Sequence, residues 1–160
     1  MLVLISLLFV FLLNSPVGGL ADSSVPLEVE QLIRKAFEDH SWLYLNTERD
    51  IRSYCEAIYC GDLLDEVTGN INDFISCSSD WHSVVLVQDM DVVEEKAKEM
   101  QVLVWISYFD LNYKDGIPVY YVSGEETILV HLKGEEKGNY KIARFKRLTE
   151  TPQSFARVGK

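Results

Sequence analysis

Cysteine is scarce in this chain, with only Cys55, Cys60 and Cys77 among its 160 residues. That excludes a small scaffold held by a disulfide framework, so an apolar core has to carry the fold. If Cys55 and Cys60 share a helix, five steps of about 100° set them too far round its axis to bridge each other. Cys77 is then the candidate for pairing with either in an oxidising compartment, the alternative being buried free thiols. No Asn-x-Ser/Thr triplet occurs, so there is no glycosylation signal of eukaryotic export, and bacterial export fits equally well. Cations are outnumbered, 15 Lys and Arg against 25 Asp and Glu, giving a formal net charge of −10. A chain this acidic is repelled by a phosphate backbone, which argues against nucleic acid as a partner.

The signatures of chemistry are missing as well. His40, His82 and His131 are isolated, with no His-x-His and no His-Glu-x-x-His, and Cys55 and Cys60 lie too far apart for a zinc knuckle. No metal and no cofactor is expected. There is no Gly-x-Ser-x-Gly elbow and no Gly-rich phosphate loop. No apolar run reaches the ~20 residues that cross a bilayer. The longest such stretch, Met1 to Leu13, is interrupted only by Ser6 and runs into Asn14-Ser15-Pro16 and the small residues before Ala21. It reads as a signal peptide over 1–21, which makes the protein secreted; the alternative is a retained anchor with the domain facing outside. The remainder suits one domain, expected over 22–148, followed by a flexible tail over 149–160.

What is present changes period halfway along. Pro26 opens an amphipathic pattern, Leu27, Val29, Leu32, Ile33, Ala36, Phe37 and His40, which predicts a helix of about five turns. Thr47-Glu48-Arg49-Asp50 is an N-cap signature ahead of a second helix through Ile58, with Gly61 as its stop. Asp62 caps a third, weakened in its middle by Gly69 and Asn70. From Ser83 the pattern is β-branched and aromatic. Val84 to Val93 reads as a strand, and Val102 to Tyr113 as a strand with both faces at least partly covered. Lys114-Asp115-Gly116 is a hairpin turn, Pro118 to Leu132 returns with a bulge near Ser123-Gly124, and Tyr140 to Leu148 is the last strand. Lys141, Arg144, Lys146 and Arg147 late in the chain read as alternating solvated side chains of a polar sheet edge.

Helices followed by a meander of long strands predict an α+β fold in which N-terminal helices pack on a curved, mainly antiparallel sheet. With its Gly138-Asn139-Tyr140-Lys141-Ile142 ending, the chain resembles the NTF2-like, cystatin-like cone superfamily over Val25 to Leu148. Through Val104-Trp105-Ile106-Ser107-Tyr108 it is also similar, more loosely, to the accessory segment that precedes the amidase domain of secreted Firmicute proteins. The first resemblance implies either a noncatalytic binding module or a small isomerase or dehydratase. A binding module would take a protein or cell-envelope partner, or a small apolar ligand, with Trp105, Tyr108 and Tyr120 as contact residues. An enzyme would draw its acid and base from His40, Asp110, Tyr108 and His131, with Tyr113, Tyr120 and Tyr121 as further hydroxyls. A homodimer through the sheet is a further implication. The residues themselves favour plainer roles: Asp110 a solvated strand end, His131 a solvent-side or edge residue, His40 a hydrogen-bonded core or capping histidine, and the tyrosines and Trp105 mostly core with the hydroxyls reaching the rim.

Overall fold

The computed structural model describes residues 25–76, 83–134 and 138–150. The expected signal peptide, Cys77 with its pairing, His82 and the tail beyond 150 lie outside the described residues. Among the described residues three α-helices, α1 (Leu27–Glu38), α2 (Glu48–Glu56) and α3 (Asp62–Ser76), precede four strands, with a 3-10 turn at Ser41–Tyr44. The strands β1 (Ser83–Glu95), β2 (Glu99–Lys114), β3 (Ile117–Gly134) and β4 (Tyr140–Glu150) form one antiparallel sheet in chain order. This is the α+β arrangement that the change of period implied.

α1 is shorter than its apolar pattern suggests, at 12 residues or just over three turns. Pro26 stands at its N-cap, its carbonyl accepting from Val29 and Glu30 N–H at 2.9 Å each. The helix stops because Asp39 turns extended and its Oδ1 takes the Ser41 N–H at 2.8 Å, a local bond that competes with another helical turn. His40 therefore belongs to the link and not to the helix. α2 begins as its sequence predicts, with Thr47 Oγ1 accepting from Asp50 N–H at 3.1 Å and donating to Asp50 Oδ2 at 2.7 Å. It ends at Glu56, before the expected stop, so Cys55 and Cys60 do not share a helix. Gly61, at φ +63°, then makes the left-handed turn into α3. α3 runs unbroken through Gly69 and Asn70, because the burial of Ile71 and Thr68 outweighs their poor propensity.

The core lies between the helices and one face of the sheet. Met100, Val102, Val104 and Ile106 of β2 alternate inward, as do Ile128, Val130 and Leu132 of β3, and they pack with Val29, Ile33, Ile51, Cys55 and Ile58. Phe37 of α1 and Tyr59 both pack against Phe145 of β4, one ring tilted and the other edge-on, at centroid distances of 5.4 and 6.1 Å. The 57–60 connector also joins the sheet directly. Cys60 N–H donates to the Ile142 carbonyl at 3.0 Å, and Ile142 N–H donates to the Ile58 carbonyl at 2.9 Å.

Tyr59 sits at this junction, nearly buried, with Oη donating to the Ala36 carbonyl at 3.3 Å. Burial holds its phenol well above the usual tyrosine range; Tyr54 is shifted the same way, by burial first and then by the charge of Asp39. A phenol that resists ionising when folded stabilises the fold fully below the unfolded pKa of about 10 and progressively less above it. Each pH unit above about 10 is expected to remove about 1.4 kcal/mol through Tyr59 alone. Urea midpoints measured at pH 8, 10 and 11 check this, and Tyr59→Phe should flatten the dependence.

Candidate functional site

Because side chains alternate along a strand, the register assigns every strand residue to a face. Tyr108 follows Met100, Val102, Val104 and Ile106 onto the inner, helix-facing side. Its Oη donates to Glu126 Oε2 at 2.9 Å, and the same oxygen is 3.5 Å from Arg147 Nε. Glu126 pairs across the ladder with inward-facing Ile106 and is only 12% exposed, so Tyr108 and Arg147 partner a carboxylate that the sheet turns inward. Asp110, two residues on and on the same side, accepts a hydrogen bond from Ser83 Oγ of β1. Asp110 is thus half-buried and held by a neighbouring strand, where a solvated strand end was expected.

His131 sits elsewhere. It faces outward on β3, between Gln101 of β2 and Arg144 of β4. Nine residues of β2 separate Gln101 from Asp110, a span of about 30 Å. Tyr108 and Asp110 come together on one face; His131 joins neither. His40 opens the 3-10 turn, with its carbonyl accepting from Leu43 N–H at 3.0 Å. Of the contact residues, Trp105 and Tyr120 share the outer face, while Tyr108 lies on the other side of the sheet.

Among the described residues the β2–β3 hairpin carries the longest run of exposed apolar side chains. Asp115 at φ +53° and Gly116 at φ +78° make the two-residue turn with both centres left-handed, the type that matches strand twist. The shift between Tyr108/Gly124 and Phe109/Val122 leaves Ser123 as the bulged residue. From 112 to 122 every residue is exposed, and seven of these eleven are apolar or aromatic: Tyr113, Ile117, Pro118, Val119, Tyr120, Tyr121 and Val122. The cover expected as far as Tyr113 ends at Leu111. Hairpin tips are ordinarily polar, whereas Tyr120 is 55% and Val122 54% exposed. On the outer face they continue into Leu111, Phe109 and Leu86, the last opposite Ser107.

A second apolar feature went unnoticed in the sequence. Trp42 of the 3-10 turn meets Phe74 of α3 edge-on at 5.5 Å, and with Val67, Asn70 and Ile71 they line an open groove of about 400 Å³. Trp42 carried no periodic signal, because it falls in the turn between two helices. Among the described residues no cluster of His, Cys, Asp or Glu is arranged to hold a metal ion, and no helix is long and apolar enough to cross a membrane.

Comparison with known proteins gives little to set beside this geometry. No protein-family description matches the chain, and no curated protein matches it. Among solved structures, it is similar to the intermembrane space region of the chloroplast protein ARC6, at 14% identity over 76% of this chain and 94% of that one, with a TM-score of 0.45.

Proposed function

We propose that this chain is a secreted, noncatalytic binding module of NTF2-like build, which takes a protein or cell-envelope partner on the outer face of its β2–β3 arm. One observation carries the reading: the arm presents Tyr113, Tyr120 and Val122 to solvent on one face, while the opposite face of the same sheet is filled by helix side chains nearer its base. Tyrosines on a rigid hairpin supply large, amphipathic contact area at small entropic cost, which suits recognition. His131 lies on the outer face, away from Tyr108 and Asp110, and those two are already engaged with Glu126 and Ser83, so the geometry favours binding over acid-base chemistry.

Site-specific photo-crosslinking in cells that make the protein tests this. Benzoylphenylalanine at position 120 is expected to give a discrete adduct of higher mass, and the same group at exposed position 48 on α2 to give none. Val122→Glu should remove the adduct while moving Tm by no more than about 2 °C, since the site is exposed. Equal adducts from both positions, or none from position 120, would count against the arm.

A further inference from the structure

The sheet ends in two unlike edges. β1, at one side, carries Asp89, Asp91 and Glu94; β4, at the other, carries Arg144, Lys146 and Arg147. Each edge is closed at one level by the chain itself. On β1, Val87 N–H donates to Glu38 Oε1 at 2.7 Å and the Val87 carbonyl accepts from Arg34 Nη1 at 3.1 Å, so an ion-paired couple on α1 takes the place of a neighbouring strand. On β4 the connector bonds to Ile142 do the same. Between the two closures, 89–94 on β1 and 144–148 on β4 pair with no further strand among the described residues.

These two windows are matched in level. Irregularities at Gln88 and Val93 leave 89–92 of β1 regular, and those at Ala143 and Leu148 leave 144–147 of β4 regular. Following the register across the sheet, Asp91 lines up with Leu103, Leu129 and Lys146. Val92 lines up with Val102, Val130 and Phe145, and Glu94 with Gln101, His131 and Arg144. Three reversals of direction make β1 and β4 antiparallel to each other. A second copy displaced sideways therefore brings its β1 antiparallel to the first copy's β4, at the same level.

We propose that β1 of one copy pairs with β4 of a second copy, extending the antiparallel sheet from molecule to molecule. In this pairing Asp91 meets Lys146 and Glu94 meets Arg144 on the outer face, while Val92 meets Phe145 on the inner. Asp91 and Lys146 have no ion pair within the described residues, and both are exposed. Two-fold pairings are disfavoured, since β1 on β1 opposes acidic side chains and β4 on β4 opposes basic ones. Lysine on an edge strand ordinarily repels another strand, but an acidic incoming edge reverses that effect. The contact is heterologous and does not close, so it gives short chains of copies and not a dimer. With a window this short and charges this exposed, association is weak and sensitive to salt.

Sedimentation velocity of the full chain, from about 10 µM to about 1 mM and at low and high salt, reads this out. The weight-average coefficient is expected to climb with concentration at low salt, and the half-point to move up about tenfold or more at ~0.5 M salt. Asp91→Lys and Lys146→Asp should each remain monomeric. Mixing the two restores association, because one variant brings a basic β1 and the other an acidic β4. Tyr120→Glu should leave it unchanged, which separates this contact from the arm. A parent chain that stays monomeric throughout, association that survives either reversal, or a mixture that fails to restore it would overturn the proposal.

Discussion

Ile33→Ala is expected to lower the unfolding free energy by about 3 kcal/mol, within the range for an isoleucine removed from a packed core. Ile33 has no exposed surface and belongs to the cluster that joins α1 to Val102, Val104 and Val130 of the sheet. The loss combines the transfer energy of the missing carbons with a cavity that neither the helix nor the strands can close. Leu27→Ala on the same helix is the control. Leu27 is 64% exposed, and its removal should cost no more than about 0.5 kcal/mol. Urea denaturation of the two variants gives the comparison directly, and equal costs would mean that α1 is not seated on the sheet.

Phe145→Ala is expected to cost a similar amount, about 3 kcal/mol, for a different reason. Phe145 is only half-buried, but its ring is where three parts of the chain meet: Phe37 of α1, Tyr59 of the connector and β4 itself. Aromatic pairs contribute about 0.5–1.5 kcal/mol each beyond their buried area, so losing two at once adds to the loss of burial. Because the two rings share Phe145, Phe37→Ala and Phe145→Ala should be less than additive in a double-mutant cycle. The variant should also let water reach Tyr59 and bring its ionisation back toward the ordinary tyrosine range.

Much of this architecture was legible because it rests on local rules. The Asp115-Gly116 turn needs two left-handed residues, and the Thr47 cap needs a hydroxyl three places before an acceptor; both declare themselves in a few letters. Large apolar side chains in both phases from Val102 onward likewise mark a strand covered at least in part on both faces, as it is up to Leu111. What escaped depends on register or on distant partners. The bulge near Ser123-Gly124 was legible, but not the face it gives each residue: in the observed register Tyr120 pairs with Leu111 and faces out. Glu125 and Glu126 are chemically alike, and only the pairing of Ile106 with Glu126 decides which one turns inward to Tyr108. The early end of α1 turned on one Asp39 hydrogen bond, and the parallel bridge from Tyr59 to Ile142 spans about half of the chain. That Tyr108 and Trp105 occupy opposite faces was in principle readable, since three steps along a strand reverse the side.

One face of the sheet is closed by helices while the arm's apolar residues stay open to solvent. Hydroxyl-radical footprinting tests it most directly, because methionine is intrinsically among the most reactive side chains and Met100 is 1% exposed on the closed face. The account predicts that Tyr113, Tyr120 and Tyr121 are oxidised early while Met100 is protected until the protein unfolds. Oxidation of Met100 in the folded protein as fast as that of Tyr120 would contradict it.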